Sequence, residues 1–196
     1  MSQDHVTVSL EDMLERERIR HNLARYSRGM DRQDAKLLAS TYWPDAWDDH
    51  GLFIGSGAEF AEWMKPVWLA MKMDHLLGQS YIELHGNFAN AESYFLAYHR
   101  AGEEPTQDMF LGGRYVDRLE KRGDEWRFIN RVAVYDWYRK AGLSDSWQDP
   151  WWTGMNLDGR NIGRQSMDFS WELFANGLLE RGEVLQYHNT ITKPQG

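Results

Sequence analysis

The sequence predicts an α+β fold: a cone-shaped, curved antiparallel sheet packed against three N-terminal helices, followed by a C-terminal extension. The prediction rests on two changes of pattern and on the turns between them. Apolar residues first recur at helical spacing, and from Asp74 onward they recur at every second position. The alternating stretches are joined by short polar turns, His85-Gly86-Asn87 and Arg122-Gly123-Asp124, as in an antiparallel meander. Helices segregated to one face of such a sheet give the α+β class, and a sheet curled over them leaves a one-ended cavity.

Taken in order, Ser9 and Asp12 have the spacing of a capping box. Behind them Ile19, Leu23, Tyr26 and Met30 form one apolar stripe, opposite a charged face of Glu15, Arg16, Arg18 and Arg20. This helix runs to about Met30, with Gly29 near its end. A second helix is expected from about Asp34 to Tyr42, stopped by Pro44. Residues 46–54 read as a short strand. From Ala58 to Met71 the residues Phe60, Met64, Val67, Trp68 and Met71 keep helical spacing, and Pro66 predicts a break or kink. Alternation then marks strands over 80–86, 89–100, 110–121 and 125–138. In the last of these, Phe128, Asn130, Val132 and Val134 are expected to oppose Ile129, Arg131, Ala133 and Tyr135. Beyond Lys140 the periodicity fades, and a Trp-rich loop leads to a short helix from Ser170 to Glu180. The expected division is one α+β domain over 1–140 and a C-terminal segment over 141–196 that serves as a lid or oligomer arm.

Composition narrows the function. A length of 196 residues favours one domain with an extension. The net charge of −8 argues against a nucleic-acid partner and against an anionic membrane surface. With no cysteine in the chain, disulfides, thiolate nucleophiles and zinc–sulfur sites are excluded. No apolar run reaches the ~20 residues of a membrane span. The opening MSQDHVTVSLED lacks the basic-then-apolar order of a secretory signal, so the cytoplasm is the expected location. Ten Trp, nine Tyr, eight Phe and nine Met supply core, and they also suit walls around a flat apolar ligand.

Dinucleotide, P-loop, nucleophile-elbow and HExxH motifs are absent, which leaves acid–base chemistry by His, Asp, Tyr and Arg. Asp31 follows the first helix in ARYSRGMDRQD, and His75 opens the first long strand in KMDHLLGQSYIEL. Alone, the first reads as a helix-end residue and the second as a structural histidine. Together they have the composition of a dyad in which a carboxylate fixes the imidazole tautomer and strengthens the other nitrogen as a base. Asp48-Asp49-His50 invites a metal reading, but no third ligand stands nearby in the sequence, and no metal or other cofactor is expected. Glu83, Glu92 and Asp117 read as strand carboxylates of the sheet surface.

Between Glu15 and Tyr138 the ordered set RYSRGMD, YWPDAWDDHGLFIG, DHLLGQSYIEL, NAESYFLAYHR, GGRYVDRLEKRGDEWRF and RVAVYDWY resembles the SnoaL-like branch of the nuclear-transport-factor-like superfamily. That branch includes scytalone dehydratase, hexachlorocyclohexane dehydrochlorinase and bile-acid dehydratase. The resemblance implies Asp31 and His75 as an orienting carboxylate and a general base, Tyr26 as a cavity phenol that binds or protonates oxygen, and Arg131 as a cavity cation. The remaining substrate-binding expectations are His50, Tyr94, His99, Asn130, Trp43 and Phe110; of these, Tyr94 and His99 fall on opposite strand faces, only one of which can line the cavity. The activity implied is a cofactor-free lyase for a hydroxylated aromatic or polycyclic compound. It would act by dehydration or by formaldehyde-releasing cleavage of a lignin-derived diaryl propanoid. The alternatives are a ketosteroid-type isomerase or polyketide cyclase, and a non-catalytic binding or assembly module. A homo-oligomer, trimer or dimer, is also implied.

Overall fold

The computed structural model describes residues 8–101 and 107–143, with Ser170 and Phe174 beyond them. The chain divides into two compact units, Met1–Ser146 and Trp147–Gly196; the N-terminal helices and the sheet belong to the first. The expected Trp-rich loop, and all but Ser170 and Phe174 of the expected helix after it, lie outside the described residues.

Helix α1 spans Leu10–Asp31 and starts on the expected capping box of Ser9 and Asp12. Its predicted stripe of Ile19, Leu23, Tyr26 and Met30 is buried. Burial of side chains of this size contributes about 1.5–3 kcal/mol each. Glu15 departs from the expectation of a charged outer face. It is buried and accepts hydrogen bonds from Trp126, Lys121 and Arg18, which tie α1 to the sheet. Gly29 lets the second helix approach, since a Cβ there would stand 2.9 Å from the Leu38 nitrogen.

Helix α2 is shorter than expected, Ala35–Ser40, because strand β1 starts at Tyr42 and runs to Asp49. Pro44 therefore lies inside a strand. It falls where the register between β1 and the last strand is irregular, so its missing N–H breaks no ladder bond. A two-residue strand β2, Ile54–Gly55, returns along β1. Helix α3, Gly57–Ala70, is capped by Ser56 with Glu59 and continues through Pro66. Proline is tolerated there because it lies on the exposed side, where the carbonyl it leaves unpaired meets water.

Four long strands complete the unit: β3 Met71–His85, β4 Phe88–Ala101, β5 Asp108–Arg122 and β6 Glu125–Ala141. The β3–β4 and β5–β6 turns place glycine at positive φ, 63° at Gly86 and 65° at Gly123, as tight two-residue hairpins require. Sheet order is β2-β1-β6-β5-β4-β3, curved and open. One pairing corrects the purely antiparallel expectation: β1 lies parallel to β6, so the sheet is mixed. The expected alternation in β6 is also interrupted. Phe128 pairs with Leu119 and Asn130 with Arg118, which leaves Ile129 as a bulge and brings Phe128 onto the same inner face as Arg131 and Ala133. A second irregularity at Asp136 separates Tyr135, opposite Gly113, from Trp137, opposite Gly112.

Candidate active site

Between the helices and the inner face of the sheet lies a cavity of about 860 Å³, at the upper end of the range for small-molecule sites. Five methionines line it (Met30, Met64, Met71, Met73 and Met109), together with Trp63, Phe95, Leu111 and Tyr115. Apolar, polarisable walls of this kind accept an aromatic ligand and adapt to its outline. Three histidines, His50, His75 and His99, interrupt the apolar lining.

Asp31 is the last residue of α1, and His75 faces inward from β3 between Met73 and Leu77. One carboxylate oxygen accepts a hydrogen bond from the His75 imidazole Nδ1 at 2.6 Å, and the other accepts from the His75 backbone N–H at 3.0 Å. The side chains are 13% and 5% exposed. Two donors from one residue to one carboxylate fix the ring and, in its neutral form, the tautomer: Nδ1 holds the proton and Nε2 the lone pair.

His99 stands beside this pair on β4, with ring centroids 5.7 Å apart in an edge-on arrangement. Burial, reinforced by the neighbouring His75, holds His99 down to about 4, so its ring is neutral at ordinary pH.

His50 occupies a different wall, after β1. Its Nδ1 donates to Asp48 at 2.6 Å, and its Nε2 accepts from the Tyr26 hydroxyl at 2.9 Å. The other Asp48 oxygen accepts from Tyr42 at 2.5 Å. Asp48 and His50 thus meet as an acid–imidazole pair. Among the described residues, no group of three or more His, Cys, Asp or Glu side chains is arranged to hold a metal ion. With both nitrogens engaged, His50 presents its ring to the cavity and stacks on Phe60 at 4.4 Å.

Several expected contacts lie elsewhere. Tyr26 is wholly buried, and its hydroxyl is committed to His50; burial holds that phenol well above its ordinary value. Arg131 does not line the cavity. It forms a two-pronged ion pair with Asp117, both bonds 2.7 Å, and its guanidinium packs at 4.0 Å from the Tyr26 and Phe128 rings and 4.2 Å from Tyr115. Asp117 is accordingly a buried partner, not a sheet-surface carboxylate. Of the pair on opposite faces of β4, His99 lines the cavity, while Tyr94 points outward and is 52% exposed. Asn130, placed outward by the bulge beside it, lines a shallow groove on the outer face and donates to the Trp47 carbonyl. Trp43 is held between Arg122 and Arg127 and donates to the Glu120 carbonyl. Phe110 packs on Tyr98 on the outer face, 5.6 Å between centroids. None of these four borders the cavity.

Tyr115 was not among the residues that the sequence singled out, yet it sits in the cavity wall. Its alternation with Leu111, Gly113 and Leu119 along β5 is the signal that marks it. The adjacent strand glycines Gly112 and Gly113 reinforce that signal, since glycine inside a strand points to a close approach or a bulge.

A family model described as a SnoaL-like domain matches residues 11–132. The chain belongs to the SnoaL-like family. Solved structures agree with this placement in fold. A candidate scytalone dehydratase from Novosphingobium aromaticivorans DSM 12444 is similar with TM-score 0.61 and 21% identity, over 69% of this chain and 93% of that one. Hexachlorocyclohexane dehydrochlorinase LinA-type3 from Novosphingobium barchaimii LL02 gives TM-score 0.63 and 21% identity, over 70% and 97%. The β subunit of a candidate aromatic-ring-hydroxylating dioxygenase from Novosphingobium aromaticivorans DSM 12444 gives 0.53 and 19%, over 65% and 92%. At these identities the likeness establishes the SnoaL-like fold and nothing finer. No curated protein matches the sequence.

Proposed function

We propose that this SnoaL-like chain is an acid–base enzyme that works without a cofactor: a lyase for a hydroxylated aromatic or polycyclic small molecule. The observation that supports it is the 2.6 Å contact between Asp31 and His75 on the wall of a large apolar cavity. A non-catalytic binding module has no need of an imidazole held in one tautomer with its basic nitrogen spare.

In this reading His75 Nε2 is the base, and Asp31 orients the ring and stabilises the imidazolium that forms. For dehydration, Nε2 takes a proton from carbon, the C–H electron pair becomes the new double bond, and hydroxyl leaves the neighbouring carbon. The proton on Nε2 joins that hydroxyl as water. For a diaryl propanoid, Nε2 takes the proton of a hydroxymethyl group instead. The C–C bond breaks to release formaldehyde, its electron pair forms the double bond, and the adjacent hydroxyl departs with the proton. Apolar walls exclude water and strengthen each of these interactions.

The test is turnover of a panel of hydroxylated diaryl, steroid and polyketide compounds, followed by mass. The account predicts a product lighter by water, or by formaldehyde and water. It predicts a loss of about 10²–10⁴-fold in kcat for His75→Ala, and a substantial loss for Asp31→Asn. Folded variants with full activity would overturn the dyad, and a product of unchanged mass would assign an isomerase instead.

A further inference from the structure

We infer that the Tyr115 hydroxyl holds an oxygen of the substrate while His75 moves the proton, so that substrates of this cavity carry an acceptor oxygen within reach of both residues. The inference rests on the acid–base function proposed above and adds a residue and a substrate requirement to it.

Three observations carry it. The first is that the ring is clamped. Phe95 stacks on it at 4.5 Å, Tyr26 meets it at 5.6 Å and His50 at 5.9 Å, and Arg131 lies 4.2 Å from its centre. A ring held on so many sides points its hydroxyl in one direction. The second is that the hydroxyl has no partner. Tyr115 is 2% exposed and makes no hydrogen bond among the described residues, although buried phenols normally find one. Its neighbours are turned elsewhere: Tyr26 to His50, Tyr42 to Asp48, and Arg131 to Asp117 through Nε and one Nη, its other Nη standing unpaired. Nor does its oxygen belong with the sealed, unpaired atoms of the core, such as Trp68 Nε1 and His99 Nε2. Tyr115 is itself part of the cavity lining, so the cavity is the space from which an occupant would reach it.

The third observation is electrostatic. Burial raises the Tyr115 phenol above its ordinary range, with the Arg131 charge opposing and the Asp31 charge adding to the rise. The phenol therefore keeps its proton and acts as a donor. The influence of Asp31 also places it in the field of the dyad. A neutral donor aimed at a substrate oxygen stabilises the negative charge that grows there as His75 removes a proton.

The experiment uses acetonaphthone, a flat aromatic ketone, as probe, and reads its carbonyl stretch by infrared difference spectroscopy when bound to the full chain. The expected result is a stretch moved to lower frequency in the wild type and in His75→Ala, and released in Tyr115→Phe, with affinity reduced about three- to tenfold. Fluorotyrosine at position 115, a stronger donor of nearly the same shape, is expected to lower the stretch further. It gives a second reading if the Phe variant folds poorly. An unchanged stretch and affinity in Tyr115→Phe would overturn the inference, whatever the His75 variants do to turnover. A wild type that does not bind the ketone would overturn it as well.

Discussion

A carboxylate on the last residue of a helix faces the negative end of the helix dipole, an arrangement that typically costs about 0.3–1 kcal/mol. Asp31 takes this place at the end of α1, and the two donors of His75 offset the cost. The helix-end place of Asp31 was legible in the sequence, as was an imidazole at the mouth of a strand; their meeting across 44 positions was implied only by the family resemblance, because it depends on the sheet curling back over α1. Arg131 teaches the opposite lesson. The family resemblance implied a cavity cation there, and the structure has a buried ion pair instead. The choice was made by Asp117, its direct partner across the β5–β6 ladder. Removal of Arg131 strands that carboxylate, so Arg131→Met is expected to cost about 3–5 kcal/mol in urea unfolding. The double variant Arg131→Met with Asp117→Leu should recover much of it, which a role in binding alone would not explain.

His99 makes stability depend on pH. Unfolded, its imidazole titrates near 6.5; folded, burial and His75 hold it to about 4. Between those values the unfolded chain binds more protons, so the contribution of His99 is complete above pH 6.5 and is lost as the pH falls toward 4. The thermal midpoint measured across this interval should decline for the wild type and decline less for His99→Gln.

At the scale of elements, periodicity carried most of the information. The α1 stripe and the long strands are local patterns, and the Gly86 and Gly123 turns follow from the positive φ that glycine alone adopts freely. What periodicity missed has physical causes. The bulge at Ile129 shifts one face of β6 by a residue, and no single-strand pattern reports a bulge. The parallel partnership of β1 with β6 joins residues about eighty positions apart. Pro66 is harmless because its side of α3 is exposed. The same helix supplies Trp63, Met64 and Val67 to the cavity, and its start depends on Ser56. Ser56→Ala removes one side of the capping box and is expected to cost about 1 kcal/mol, seen as a lower thermal midpoint.

For the molecule as a whole, the net charge of −8 favours solubility, and among the described residues no helix is long and apolar enough to cross a membrane. The outer face of the sheet is less polar than the interior requires. Leu76, Tyr81, Tyr94, Leu96 and Val116 are exposed on it, and Leu76 and Leu96 are cross-strand partners. We propose that this face joins copies of the chain into the expected dimer or trimer. Sedimentation equilibrium should return a multiple of 23.1 kDa, and Leu96→Lys should lower it; a monomeric wild type would refute the assembly. The fold was legible because it is written in repeated local patterns. The substrate was not, because the cavity is assembled from side chains of α1, α3 and four strands, and its contour exists only once they meet.

The central claim is that an imidazole nitrogen stands ready as a base inside the cavity. Nitrogen NMR of the His75 ring near neutral pH tests it without any substrate. The account predicts a proton on Nδ1, hydrogen-bonded to Asp31, and a bare Nε2, with Nδ1 losing that signature in Asp31→Asn. A proton found on Nε2 with Nδ1 bare, or a ring whose signals ignore the Asp31 substitution, would contradict it.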